Sequence, residues 1–487
     1  MASTATSAAS SAIRLARRLD RFGAETVWQE FTPLAREMGA VNLGQGFPDW
    51  PTPDFVKQAM KRSQDEDQNQ YCRSAGHQPL VQALAAKYSP IMGRQLNWET
   101  EVAIGVGASE TLYASMQALL DEGDEAVLIS PAFDLYAAQV QMAGGVPRYV
   151  PLRLAGSGQG STWELNLEEL RAALSPRTRV LVLNNPQNPT GKILSRTELE
   201  GIASILADFP AVVVVSDEVY EHIIFDGREF PRMATIPGMW DRTLTVSSSG
   251  KTFSCTGWKI GWAIGPEALV RGIILTNQWV QFSVCTPAQK AIADAIAAAE
   301  APYEGFPSYY AYLTARYTEK RRVLMAGLTA AGLNPTLPDG GFFIIADTSN
   351  IRFPQHYMDM KTKAAPVMKR DWAFCRFLIS EIKVGAIPPS AFFDGALRGL
   401  PWGQVPFFLV PPHFFFLSLS LRGMTDNPTT PPPLTHTFSS HTDKDKDLAA
   451  NMARFAFCKE DDSLVEACKR LLALREFAID PSKLPPL

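Results

Sequence analysis

Lys251 stands in Ser247-Ser248-Ser249-Gly250-Lys251-Thr252-Phe253-Ser254, a run of small residues directly after the β-branched stretch Thr243 to Val246. A lysine on a tight loop at a strand end can be held inside a cleft, where its amine forms imines or, with a lowered pKa, takes a proton. Taken alone, a surface lysine on a turn is the commoner reading. A phosphate loop of the Gly-x-x-x-x-Gly-Lys-Ser/Thr kind is excluded, because Thr245 holds the place of the first glycine. Asp217 closes the apolar run Val212-Val213-Val214-Val215-Ser216. A carboxylate at the mouth of such a strand is costly to bury without a cation or a strong donor, and a protonated pyridine nitrogen would serve. A helix cap is the plainer alternative.

Two further stretches carry polar groups to the same kind of place. Asn184-Asn185-Pro186-Gln187-Asn188-Pro189-Thr190-Gly191 follows the run Val180 to Leu183, and its turn residues bring amide side chains to a strand end. Gly105-Val106-Gly107-Ala108-Ser109-Glu110 precedes a helical pattern, so backbone N–H groups and the helix dipole there suit a phosphate. Each is weak by itself. The elements that must position them are short continuous β-branched runs, Ala126 to Ile129, Val180 to Leu183, Ala211 to Val215 and Thr243 to Val246, alternating with helical patterns between about residues 100 and 250. That is the grammar of a parallel sheet covered on both faces, whose ligands sit at the carboxyl ends of its strands. Ser195-Arg196-Thr197-Glu198 is a capping box that opens a helix through Ile202, Ile205 and Leu206. After about residue 330 the pattern becomes mixed, with a strand expected around Gly340 to Ile344 and a helix near Trp372 to Ile382.

Bulk properties narrow the function classes. The 487 residues are 46% hydrophobic and 20% charged, enough apolar mass for a large buried sheet. A formal net charge of -4 gives no basic field for a nucleic-acid backbone. Six cysteines without a C-x-x-C pair indicate neither a disulfide framework nor a zinc site. The start, Met1 to Arg18, is rich in Ser, Ala and Arg and reads as a presequence or as a plain tail, so a cytoplasmic or mitochondrial location is expected.

In this order, the four polar elements resemble the class I and II aminotransferases of fold type I, which are pyridoxal phosphate enzymes. The likeness is greatest to the kynurenine aminotransferase and cysteine-conjugate β-lyase group, through Val41-Asn42-Leu43-Gly44-Gln45-Gly46-Phe47-Pro48-Asp49, Asn69-Gln70-Tyr71 and Ser254-Cys255-Thr256-Gly257-Trp258-Lys259. It implies an α/β fold, with a large domain (41–329) around a mostly parallel seven-stranded sheet, a smaller α+β C-terminal domain (330–487) and an N-terminal tail and arm (1–40). It also implies that Lys251 forms the Schiff base and shuttles a proton, that Asp217 pairs with the pyridinium nitrogen, and that Tyr220 and Asn188 bond the phenolic oxygen. Phe133 would stack on the ring, while Ala108, Ser109, Ser248 and Lys259 would hold the phosphate. Tyr71 matches a tyrosine supplied by the neighbouring subunit, which implies a homodimer with a shared active site. Arg454, assisted by Gly46 and Asn188, matches the clamp on the substrate carboxylate, and Trp28 and Phe282 match aromatics near the substrate side chain. The expected reaction passes the amino group of kynurenine, or of another large aromatic amino acid, to a 2-oxo acid such as 2-oxoglutarate and yields kynurenic acid from kynurenine. The alternatives are β-elimination on cysteine conjugates and another amino-acid specificity.

One stretch departs from the family. From about Asp394 to Thr442 the chain runs through an apolar, proline-broken segment and then a Pro/Ser/Thr-rich one. The apolar half is shorter than the roughly 20 residues of a spanning helix, and its prolines oppose one, so no membrane association is expected. The segment is cleanly bounded, which suggests translated intron or a gene-model artefact; if it is real, it would impair activity beside Arg454.

Overall fold

The structure, a computed structural model, describes residues 15–22, 25–156, 161–393, 449–480 and 482. Most of Met1 to Arg18 and the whole 394–442 segment lie outside the described residues. Among them run β1 (Val41–Asn42), β2 (Val102–Val106), β3 (Glu125–Ser130), β4 (Val146–Ala155), β5 (Thr162–Leu165), β6 (Thr178–Asn184) and β7 (Val213–Asp217). They are followed by β8 (Thr243–Ser248), β9 (Ile260–Ile264), β10 (Asn334–Pro335), β11 (Phe343–Asp347), β12 (Val384–Gly385) and β13 (Met452–Ala456).

Eight of these form one sheet in the order β2-β9-β8-β7-β6-β3-β4-β5. From β8 through β7, β6 and β3 to β4 every pairing is parallel, and β2, β9 and β5 join antiparallel. The sheet therefore has one strand more than the seven expected. The extra strand has a local cause: β3 pairs β4 only as far as Pro151, and β5 turns back to cover the ladder groups of Leu152 to Ala155. The apolar runs read from the sequence are the buried middle of these strands. Ala126, Leu128, Val180 and Val182 pack into one core cluster while Val127, Ile129, Leu181 and Leu183 pack into another, the period-two alternation of a sheet covered on both sides. Ser195 caps the helix Arg196–Leu206: its hydroxyl accepts the Glu198 N–H and the Glu198 carboxylate accepts the Ser195 N–H, as the capping box requires.

Beside β3 the chain changes direction: it leaves toward β4 on one side and returns to β6 on the other. A crevice opens at such a reversal, outside the carboxyl ends of the strands. Ser130, Asn184, Asp217 and Ser248 are the last residues of the parallel neighbours β3, β6, β7 and β8, so the segments that follow them all emerge on this edge.

A second sheet, β10-β11-β13, is antiparallel. The strand expected near Gly340 to Ile344 is β11, and the expected helix covers Arg370–Phe377 and continues through the wider turns of Leu378–Ile382. β1 pairs in parallel with β12, which ties residues 41–42 to 384–385.

Candidate active site

The crevice is a cavity of about 270 Å³. Its walls include Trp28, Gly46, Ala108, Ser109, Phe133, Asn188, Asp217, Tyr220, Ser248, Lys251, Lys259 and Arg454, twelve of the residues singled out in the sequence.

β8 ends in the short helical turn Ser249–Thr252, which aims Lys251 into the cavity. Gly250 is needed for that turn, since a Cβ there would come within 2.9 Å of the Thr256 Cα. The Lys251 Nζ donates to the Gly46 carbonyl oxygen at 2.6 Å. Burial pulls its pKa down to about 8 against the opposing influence of Cys458 and Asp217, while Arg454 and Lys259 add to the depression. An amine so placed is neutral far more often than a surface lysine at neutral pH.

Asp217 is 4% exposed. Its Oδ2 accepts the Tyr136 hydroxyl at 2.6 Å and its Oδ1 accepts the Val219 N–H at 3.3 Å. Burial pushes its carboxyl up to about 6, although both donors and Lys251 favour the charged form. It is thus a buried carboxylate with two neutral donors and room for a cationic one. Burial also raises the Tyr220 phenol, with Asp217 adding to the effect, so Tyr220 stays a neutral donor. Its ring is fixed edge-on by Phe342 and Phe343 at 5.0 and 6.0 Å.

At another wall the helix Gly107–Leu119 begins, presenting the amides of Ala108 and Ser109. Lys259 leans over this end; a Cβ on Gly107, whose φ is 71°, would meet its Nζ at 3.1 Å. Lys259 itself has a φ of 57°, in the left-handed region that non-glycine residues occupy at some cost. Backbone N–H groups, the Ser248 hydroxyl and an ammonium converge, which makes an anion cradle.

Arg454, on β13, is 1% exposed and forms no ion pair among the described residues. One terminal nitrogen donates to the Asn188 Oδ1 at 3.0 Å and the other to the Gly44 carbonyl at 2.5 Å, while the buried Nε has no partner among the described residues. Phe343, Phe392 and Trp28 surround the guanidinium with ring centroids at 4.3, 4.7 and 5.4 Å. Burial lowers its pKa to about 10. Gly46 must be glycine here, because a Cβ would sit 2.5 Å from the Phe343 Cζ.

An anion cradle, a buried carboxylate with capacity for a cationic ring nitrogen, a neutral phenol and a lysine of lowered pKa around one cavity fit pyridoxal phosphate. The sequence model of the aminotransferase class I and II family matches residues 39–398, well over half of the chain. The chain belongs to the class I and II aminotransferases. It is a pyridoxal-phosphate-dependent enzyme. The family match ends before Arg454, which β13 carries to the same cavity.

This aminotransferase is 46% identical over 394 residues to the kynurenine--oxoglutarate transaminase of Dictyostelium discoideum, covering 78% of this chain and 89% of that one. It is 38% identical over 377 residues to kynurenine--oxoglutarate transaminase 3 of Homo sapiens, covering 76% and 82%. The solved structure of Bna3p from Saccharomyces cerevisiae superposes with a TM-score of 0.80 at 28% identity, covering 96% of this chain and 99% of that one.

Two expected site residues do not line the cavity of their own chain. Tyr71 and Phe282 stand edge to face at 5.2 Å, 82% and 52% exposed. Phe282 follows the helix Glu267–Val280 with a φ of 62°, which turns it outward onto Tyr71. Conversely, the cavity recruits Tyr136 and Phe343, neither of which was foreseen as a site residue. Tyr136 lies three residues after Phe133 at the start of the helix Asp134–Met142, a spacing that puts both on one face and could have revealed it.

Proposed function

We propose that this aminotransferase transfers the amino group of kynurenine, or of another large uncharged aromatic amino acid, to 2-oxoglutarate; the 2-oxo acid formed from kynurenine closes on its own ring amine with loss of water to give kynurenic acid. The observation that carries the reading is Arg454, a fully buried guanidinium without a carboxylate partner among the described residues, facing the same cavity as Lys251. A buried cation of this kind is stable in proportion to the anion it receives, and the α-carboxylates of an amino acid and of a 2-oxo acid both fit its fork. The aromatic walls Trp28, Phe47, Phe133 and Phe343 favour a large flat side chain. The names of the two relatives support the same donor and acceptor.

Pyridoxal phosphate, when bound, supplies the electron sink that lets the substrate Cα–H bond break. Lys251 would hold it through its amine and, when that amine is free, would accept and return the substrate Cα proton at Nζ. Its depressed pKa suits an amine that must both take and return a proton near neutral pH. Asp217 keeps a proton on the ring nitrogen, with Tyr136 and the Val219 N–H aiming its carboxylate. Tyr220 and Asn188 would bind its phenolic oxygen, Phe133 would flank its ring, and Ala108, Ser109, Ser248 and Lys259 would anchor its phosphate. Arg454 and Asn188, joined by a hydrogen bond in the same cavity, would orient the substrate through its carboxylate. Trp28 bounds the side-chain pocket, its indole N–H held by the Asp134 Oδ2 at 2.9 Å.

The same reading makes the working form a homodimer in which Tyr71 and Phe282 reach the partner's cavity. Supporting it, Tyr71, Phe282 and, on the adjoining helix, Leu275, Trp279 and Val280 are all exposed apolar side chains, with Trp279 83% exposed. A surface so apolar is typical of an interface.

The test is the visible absorption of the purified holoenzyme. Adding L-kynurenine should abolish the lysine-bound cofactor band and generate kynurenic acid, and 2-oxoglutarate should restore the band. A band that cycles with other amino acids but is indifferent to kynurenine would overturn the donor assignment.

A further inference from the structure

Behind the catalytic wall lies a buried charge cluster that takes no direct part in the chemistry. Along Asp217-Glu218-Val219-Tyr220-Glu221, Asp217 and Tyr220 line the cavity, while Glu218 and Glu221 are turned away from it. Arg232 bridges these two glutamates. One of its terminal nitrogens donates to the Glu218 Oε2, and the other donates to the Glu221 Oε2 at 2.6 Å. The three side chains are 8%, 0% and 1% exposed, in the order Arg232, Glu218, Glu221.

Every carboxylate oxygen in the cluster is engaged. The Ser216 hydroxyl donates to the Glu218 Oε1 at 2.9 Å. The Glu221 Oε1 receives the Ser247 hydroxyl at 2.6 Å and the Tyr88 hydroxyl, whose own oxygen accepts the Trp262 indole N–H at 3.2 Å. Ser216 belongs to β7 and Ser247 to β8, so the cluster grips both strand ends that carry the chemistry: one just before Asp217, the other four residues before Lys251. The Glu218 N–H also bonds the Val246 carbonyl at 2.8 Å, closing the two strand ends together.

Two carboxylates and one guanidinium buried together are an expensive way to hold a fold, since apolar residues of similar volume commonly stabilise as well or better. What such a cluster offers instead is direction: a planar fork fixes two acceptors at a set distance and orientation, which a lysine cannot do. We propose that Arg232 is a positioning residue for the transamination site, setting through Glu218 and Glu221 the turn whose other face presents Asp217 and Tyr220 to the cofactor. The inference rests on the cofactor roles assigned above to those two residues.

The experiment compares the wild-type holoenzyme with Arg232→Lys and Glu218→Gln holoenzymes. Three quantities are read on the folded, loaded protein: the rate of cofactor release after dilution into a cofactor trap, the visible circular dichroism of the bound cofactor, and kcat and KM separately. Arg232→Lys should release the cofactor at least about tenfold faster, a loss of ~1.4 kcal/mol. It should also weaken the visible dichroism, because the ring is no longer held in one orientation, and should lower kcat more than it raises KM. Glu218→Gln keeps the Arg232–Glu221 bridge and the shape of the side chain, so it should fold normally and show the same changes to a smaller degree. Loss of melting temperature alone, with release rate and dichroism within twofold of wild type in both variants, would reduce the cluster to a stabilising role and overturn the proposal. Release that is unaffected by Asp217→Asn in an otherwise wild-type chain would instead refute the role given to Asp217, leaving the two failures distinguishable.

Discussion

Replacing Arg454 by methionine removes the buried cation while keeping an unbranched apolar stem among Phe343, Phe392 and Trp28. Because no carboxylate pairs with Arg454 among the described residues, the free protein loses little: two neutral acceptors, Asn188 Oδ1 and the Gly44 carbonyl, against the relief of an ion buried at 1% exposure. Its melting temperature should therefore stay near that of wild type. The incoming carboxylate, by contrast, would be buried without a cation, which costs ~2–5 kcal/mol. That corresponds to roughly 30- to 5,000-fold in kcat/KM for both kynurenine and 2-oxoglutarate. Arg454→Lys keeps the charge but cannot form two parallel bonds; losing one charge-assisted bond, about 1.5–3 kcal/mol, predicts a fall of roughly 10- to 150-fold. Stopped-flow measurement of each half-reaction gives these ratios directly. The control is the amine that corresponds to kynurenine without its carboxylate, on which wild type and Arg454→Met should react alike. An equal loss on that amine, or an unchanged kcat/KM for kynurenine, would refute the carboxylate clamp.

Burial favours the neutral Lys251 amine, so the fraction able to attack an aldehyde persists to lower pH than in an ordinary lysine. With the pKa at about 8 rather than 10.5, about a tenth of the amine is neutral at pH 7, an increase of about 300-fold. Capture of pyridoxal phosphate by apoenzyme should rise with pH and level off above about 8; a midpoint above about 10 would contradict burial as the cause. Tyr136→Phe deletes the 2.6 Å bond that favours the charged form of Asp217, so the carboxyl should titrate above about 6 and the affinity for cofactor should drop by roughly 10- to 150-fold, the value of one bond to a charged group. Equilibrium titration of apoenzyme with cofactor checks this, and an unchanged affinity would leave Tyr136 as a packing residue.

Lys251, Asp217 and Asn188 were legible because each depends on local order: a β-branched run that can only be a buried strand, followed at once by residues that cannot continue it. Their common location then follows from a general property of parallel sheets, whose carboxyl ends open on one edge. Tyr136 and Arg232 were not foreseen. Both act on Asp217 or its turn from outside the strand that carries it, and neither distance nor direction across a core is written in a local pattern. The eighth strand escaped notice for a related reason: β5 exists to cover the end of β4, and how far β4 outruns β3 is set by register.

The placement of Phe282 beside Tyr71 on the surface is set by its left-handed backbone, which residue type does not announce. Sequence alone therefore determined the strand-end chemistry, through contiguous residues with strong conformational preferences, and the cofactor and family, through the resemblance those residues carry in their order. Only the tertiary structure brought Tyr136 and Phe343 to the site and decided which atoms hold Arg454, a residue the family resemblance itself implies. β1 pairs with β12 across more than three hundred residues, and Arg454 bonds Gly44, 410 residues away in the chain, because the edges of two separate sheets meet at the crevice. Such contacts come from the closure of long loops onto complementary packed surfaces, and no preference of a single residue encodes them.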